Sequence, residues 1–373
     1  MGFEKQLSWR RCLALVLVGA WNAEAVSMGT FPYEFLHPAN IFVTFMYYAL
    51  QLLIIEDLYS RFKLSYRDLF LIGILFGLLE EGVLTLTFYI PVTEWLKPGY
   101  GRILGINTVW ATFLTFFHAT YTVTLTFLII DRFFPRNRGP LLNRRAYALI
   151  LSYLLVLYIG NPIHVAFTVM PSQLHFNFKP KIEAILIVAF LIVILMFTVA
   201  SRIRKSSYRS YTTVSLPQQS INQRALISDA CIILLMSAAW FLPYMHNYEG
   251  FPETIALLYS VSLATLGPLA FSWYLKRSGG VNEKRLTIIT ASLVSFYMSL
   301  SVYCYFLSHD YISMFIIAVT FILELELVFK RPLLLSSPSL IRKTISLLKV
   351  NRGKNKRKPL TNRDNRASQP PNS

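Results

Sequence analysis

Charge is what this sequence has least of. Only 15% of its 373 residues are Asp, Glu, Lys or Arg, against about 25% in an ordinary soluble domain. Acids are the scarcer sign, 19 against 36 Lys and Arg, which leaves a formal net charge of +17. A soluble basic protein of this length would carry many more charges of both signs, so histone-like, ribosomal and soluble DNA-binding classes are excluded. Cysteine is scarce as well. Cys12, Cys231 and Cys304 stand far apart, with neither CxxC nor zinc-like spacing. They supply no disulfide framework and mark no redox compartment. The chain also lacks GxxxxGKS/T, GxGxxG between a strand and a helix, HExxH and GxSxG. Nucleotide binding and soluble-hydrolase chemistry therefore have no motif to rest on.

What the chain has instead is apolar length. Hydrophobic residues make up 54%, with 28 Phe and 21 Tyr, and the mean hydropathy is +0.48. A membrane span needs about 20 apolar residues. Ten segments qualify: 12–29, 40–56, 69–91, 105–130, 147–168, 182–201, 226–244, 254–275, 286–307 and 311–329. Arg10 and Arg11 before the first apolar run resemble the start of a signal peptide, but "WNAEAVSMGTFP" has no small-x-small cleavage pattern. We read it as a retained span. The expected fold is an all-α transmembrane bundle of about ten spans over residues 1–329, with both termini cytoplasmic, in the cell membrane.

The basic residues support this count. With the N-terminus placed inside, only Lys97, Arg102, Lys179 and Lys181 fall on the outer side, and the other 32 of the 36 fall inside. One missed or invented helix would scramble that alternation. Residues 330–373 hold twelve of the basic residues and one acid, Asp364. "SLIRKTISLLKV" suits a short amphipathic helix on the inner leaflet, and the rest reads as a disordered tail. The partners expected of this tail are the bilayer and anionic inner-leaflet lipids, with no specific nucleic acid. There is no internal repeat.

Against this apolar background each ionisable residue inside a span is a functional candidate. Glu80 and Glu81 lie near the middle of "FLIGILFGLLEEGVLTLTFYIP". Each isolated charge at the bilayer centre costs about 2.5–3.5 kcal/mol, and two adjacent carboxylates repel unless one is protonated or a cation is present. Gly73 and Gly77 have the small-xxx-small spacing that lets a neighbouring helix approach closely. The next segment carries His118 near its own middle and is rich in threonine: Thr112, Thr115, Thr120, Thr122 and Thr124. Antiparallel packing places His118 at the depth of the glutamates. An imidazole with one or two carboxylates suits a divalent metal ion, zinc or another, and equally suits a proton relay. Further polar candidates are Glu24 and Asn22 in the first segment, Thr85 after the glutamate pair, and Asn161 with His164 in "YIGNPIHVAF". Asp229, Glu324 and Glu326 read as interfacial.

The glutamate pair followed one helix later by a histidine resembles the CPBP family of intramembrane proteases, which includes the CAAX prenyl endopeptidases. The family motifs are Glu-Glu-x-x-x-Arg, Phe-x-x-x-His and His-x-x-x-Asn/Asp. Here Glu80 and Glu81 open the first motif, with Thr85 in the arginine position. Leu114 to His118 matches the second with Leu for Phe, and His164 has Thr168 in the last place of the third. The stretch "GLLEEGVLTLTFY…YGRILGINTVWATFLTFFHATY" is also similar to a group of uncharacterised archaeal polytopic membrane proteins. The CPBP resemblance implies a metal-dependent intramembrane hydrolase acting on a membrane-embedded peptide or small molecule. Glu80 or Glu81 would be the general base, with His118 and His164 holding the metal. Two other readings use the same residues: a proton- or cation-coupled transporter with the pair at its midplane, and a non-catalytic scaffold that uses the pair for helix packing.

Overall fold

Each of the ten apolar segments corresponds to one helical rod in the computed structural model of the chain. The structure describes residues 3–27, 29–35, 37–89, 101–134, 136, 139–165, 182–207, 223–246, 252–277 and 283–329. The rods are α1 (Phe3–Glu24), α2 (Pro38–Arg61), α3 (Tyr66–Leu79, continued by Glu80–Leu84), α4 (Thr108–Phe133) and α5 (Arg144–His164). They continue with α6 (Ile182–Ser207), α7 (Gln223–His246), α8 (Glu253–Arg277), α9 (Glu283–Leu307) and α10 (Tyr311–Phe329). Six of them, α2, α4, α5, α6, α8 and α9, are long and apolar enough to cross a membrane by length and composition. Within α7 and α10 lie shorter apolar stretches, Ile227–Ala238 and Tyr311–Leu325. The basic tail, with Lys97, Lys179 and Lys181, falls outside the described residues.

Local chemistry sets several of the helix starts. At α3, Ser65 Oγ accepts from the Asp68 backbone N–H while Asp68 Oδ2 accepts from Ser65 N–H at 2.9 Å, a reciprocal capping box. Asn107 caps α4 by accepting from Trp110 N–H, and Asn143 caps α5 by accepting from Ala146 N–H. Between α3 and α4 the expected fourth span began at residue 105. There the chain instead makes a tight hairpin of β1 (Arg102–Ile103) and β2 (Ile106–Asn107). Leu104 and Gly105 turn it with φ of 52° and 93°, a region that glycine enters freely.

Burial separates an axis from a rim. In α4, 89% of the apolar window is buried, against 11% in α5 and 17% in each of α6 and α8. α4 is therefore the central rod, and the other three present apolar faces outward (Leu155, Val156, Phe190, Phe197, Leu266, Leu269). Such faces are what a helix in lipid requires. One core cluster lies where α3 and α4 meet α6–α10, and a second where they meet α1, α2 and α5. The α3–α4 seam joins them, and it carries the glutamates and the histidine.

Candidate functional site

The seam is close because two positions on α3 have no side chain. A Cβ on Gly73 would stand 2.6 Å from Ala119 Cα, and one on Gly77 would stand 3.1 Å from Thr115 Cα and 3.2 Å from His118 Cβ. Backbone-to-backbone approach at these glycines brings His118 against the end of α3.

That end is not the middle of a long helix, as the apolar run had led us to expect. α3 widens into a π-helical turn at Glu80–Leu84 and stops. Thr85 N–H donates to Glu80 O at 2.8 Å, its hydroxyl donates to the same carbonyl at 3.1 Å, and Leu86 reverses the chain with φ of 59°. Thr85 and Thr87 hydroxyls both donate to Glu81 Oε2. The threonines thus take the carbonyl and carboxylate acceptors of the glutamate pair, and the apolar residues beyond them do not continue the helix. α4 is π-helical over His118–Leu125. Both elements that present the candidate side chains are widened at the site, a feature frequent where helices carry function.

The three side chains converge. His118 Nε2 lies 3.0 Å from Glu81 Oε1 and 3.5 Å from Glu80 Oε2. One ligand atom from each residue falls within 4.8 Å of the others, and all three residues are buried. Thr122 Oγ1, one helical turn along, meets His118 Nδ1 at 3.0 Å and fixes the ring. The rings of Phe76 and Phe117 pack with centroids 5.5 Å from that of the imidazole. The two carboxylates differ in what they already hold. Both Glu81 oxygens are occupied, Oε1 by His118 and Oε2 by the two threonines. Glu80 Oε1 accepts from the Tyr48 hydroxyl of α2, while its Oε2 is buried with no hydrogen-bond partner. One buried acceptor is left open beside a second carboxylate and an imidazole, an arrangement that calls for a proton or a cation.

A model of an uncharacterized membrane protein family matches residues 13–350. The chain belongs to that family. It is a membrane protein. The family model adds nothing in favour of the CPBP resemblance. No curated protein and no solved structure matches the chain.

The remaining candidates are distributed around this family member's seam. Asn161 on α5 donates to Leu84 O at 2.8 Å and so satisfies the open end of the π turn. His164 is exposed at the end of α5, and among the described residues it is not part of the convergent group. Glu24 ends α1. Its Oε2 accepts from Thr30 Oγ1 at 2.7 Å under the close pass of Gly29, and it lies near enough for its charge to act on Glu80 and Glu81. Asn22 donates to Thr126 Oγ1 at 3.4 Å. Thr120 and Thr124 donate to carbonyls of their own helix, and Thr120 also meets Tyr297 OH. Asp229 and Glu324, expected at an interface, are both buried. The side chain of Glu326 is outside the described residues.

Sequence reasoning missed Tyr48, which is one tyrosine among 21 with nothing to distinguish it. Thr122 could have been found from its four-residue spacing to His118. A whole second cluster was missed at the arginine-rich end of the bundle. Buried Arg11 donates to both oxygens of Glu56, at 2.8 and 2.9 Å, and to Phe134 O, and pairs with Asp131 Oδ1 at 2.8 Å. Ser60 donates to Glu56, and Tyr59 and Tyr66 donate to Asp131. Beside it, Asp57 accepts from Arg61, from Leu141 and Leu142 N–H, and from Tyr147 OH.

Proposed function

We propose that this protein is a multi-pass cell-membrane hydrolase with a divalent metal site built from Glu80, Glu81 and His118. The observation that carries the reading is the convergence of the three ligand atoms around a carboxylate oxygen with no partner. The donor set fits the group. Ligand atoms around a tetrahedral zinc ion at roughly 2.0–2.1 Å stand about 3.4 Å from one another, and the imidazole nitrogen lies 3.0 and 3.5 Å from the two carboxylates. Nitrogen with oxygen donors suits zinc, iron or manganese.

A divalent ion there would supply Lewis acidity toward a scissile carbonyl in a low-dielectric site. The protein's own groups divide the remaining work. Thr122 orients the imidazole through Nδ1, leaving Nε2 to face the carboxylates. Glu81, held by Thr85 and Thr87, is the fixed anion. Glu80, its Oε1 held by Tyr48, would complete the ligand set through its open Oε2. The substrate class that fits such a location is a membrane-embedded peptide or small molecule.

The test is metal analysis of the purified protein beside Glu81→Gln and His118→Ala. The expected result is a near-stoichiometric divalent ion in the wild type, lost in both variants, with a thermal transition that zinc raises only in the wild type. Absence of metal and of any zinc-dependent shift in the wild type would overturn the metal site. With metal present, a quenched-fluorescence peptide in detergent should be cleaved by the wild type and not by Glu80→Gln. Cleavage by both would remove Glu80 from its role.

A further inference from the structure

α5 is the least buried of the six membrane-length rods, and Ile150 and Leu154 are its buried residues. A helix so placed needs only apolar side chains. Yet Tyr147, Ile150, Leu154, Tyr158 and Asn161 recur at intervals of three and four, one stripe down a single face, and three of the five are polar. In hydrocarbon a polar group is costly unless it is bonded, and each of these is bonded. Tyr147 OH donates to Asp57 Oδ2 of α2 at 2.6 Å, at the arginine-rich end. Toward the other end, Tyr158 OH meets Tyr47 OH of α2 at 3.0 Å and donates to Gln51 Oε1 at 3.5 Å. One turn on, Asn161 Nδ2 donates to Leu84 O of α3 at 2.8 Å.

The last two anchors land one step from Glu80. Tyr47 packs edge-on against Tyr48, with ring centroids 5.3 Å apart, and against Phe76 at 6.3 Å. Tyr48 is the donor to Glu80 Oε1. Leu84 closes the π turn that opens with Glu80 and Glu81. The carbonyls of those two glutamates are taken by Thr85, Thr87 and Phe88 of the same segment, so the bond to Leu84 O ties the backbone of the turn to another helix. We propose that Tyr158 and Asn161 are positioning residues and that α5 is the brace of the site. One face of one helix holds both the rod that carries Tyr48 and the turn that carries the glutamates, and so sets how Glu80 meets His118. This role rests on reading the seam as a metal site. Directional hydrogen bonds fix that register, where apolar contact with α5 would fix only its distance.

Hydrogen exchange of the full-length, metal-free protein, followed over residues 80–88, tests the brace without any metal. Asn161→Leu is expected to raise exchange there about tenfold. Asn161→Gln keeps the carboxamide donor and should restore much of the protection. Unchanged exchange in Asn161→Leu overturns the brace. Zinc titration tests what the brace does. Tyr158→Phe and Asn161→Leu should each weaken zinc affinity by about tenfold. Tyr153→Phe removes a different α5 hydrogen bond, to Phe42 O, and should leave the affinity unchanged. In a Tyr48→Phe background, Tyr158→Phe should weaken it no further, because its path runs through Tyr48. Monodispersity and a cooperative thermal transition show that each variant is folded. A full effect of Tyr158→Phe in that background, or an equal loss in Tyr153→Phe, overturns positioning in favour of a general loss of stability. A wild type that binds no zinc strikes the metal reading alone, and the exchange result still decides whether α5 braces the turn.

Discussion

Arg11 and Glu80 are both buried charged side chains in the first half of the bundle, yet their surroundings differ in one respect. Arg11 faces two carboxylates and a carbonyl, and those carboxylates are held in turn by Ser60, Tyr59 and Tyr66. Glu80 faces a second carboxylate, and one of its oxygens has no donor. The first cluster brings opposite charges together, each carboxylate facing a guanidinium. The second brings like charges together and leaves one place open. Charge-paired networks of the first kind fix the packing of α1, α2 and α4. An open place beside two acids and an imidazole is what a ligand fills. Burial alone does not distinguish the two clusters, whereas the sign of the neighbouring charges does.

The strongest way to break this comparison is to remove one member from each cluster and measure stability. Arg11→Met leaves Glu56 buried without its cation and Asp131 with only Arg136 at 3.4 Å, and breaking a buried pair in this way costs about 3–5 kcal/mol. Glu80→Gln removes an acid that faces a second carboxylate, keeps an acceptor for Tyr48, and is expected to change stability by less than ~1 kcal/mol. Thermal unfolding in a fixed detergent, without added metal, compares the two directly. Equal losses would erase the distinction. Arg11→Met combined with Glu56→Leu should recover much of the loss, because Glu56 is then not left buried without a cation and Asp131 keeps Arg136 at 3.4 Å.

The same contrast explains what could be read in the sequence. The ten helices followed from apolar length, and the α3–α4 seam followed from Gly73, Gly77 and the matched depth of His118 and the glutamates. The end of α3 was hidden, because the apolar run continues past Leu84 and hydropathy registers no stop. The stop is made by Thr85 and Thr87 hydroxyls that capture acceptors of Glu80 and Glu81, a side-chain event in residues of unremarkable polarity. The Arg11 cluster was hidden for another reason. A flanking arginine that sets orientation and one that pairs inside the bundle look the same in sequence, and Glu56 is 45 residues away.

A second way to sharpen the comparison acts on the seam and spares its polar groups. Gly73→Val puts a side chain where the backbone of Ala119 already stands 2.6 Å from a Cβ position. Overpacking of this kind costs about 1–3 kcal/mol, and the helices can only relieve it by separating. The distance from His118 to the glutamates then grows, so zinc binding should weaken together with stability. The Arg11 cluster contacts neither glycine and should keep its pairing. Gly160→Ala is the control: nothing lies within 4 Å of its Cβ position, and replacing a helical glycine there should be neutral or stabilising by up to ~1 kcal/mol. A seam variant that binds zinc like the wild type would show that close approach at Gly73 does not position the site.

The smallest chemical change is also the most discriminating. Tyr48→Phe deletes one hydroxyl, the donor to Glu80 Oε1, and keeps the ring against Tyr47 and Phe76. A single hydrogen bond contributes about 0.5–1.5 kcal/mol, so the thermal transition should move only slightly. If the seam were a structural cluster like the one around Arg11, nothing else would change. If Tyr48 orients Glu80 so that its open oxygen faces His118, metal affinity should fall by roughly 10- to 100-fold, as when an outer-shell partner of a ligand is removed. Zinc titration beside thermal unfolding separates the two outcomes, because a structural role moves both readouts in proportion and a positioning role moves the affinity far more than the stability.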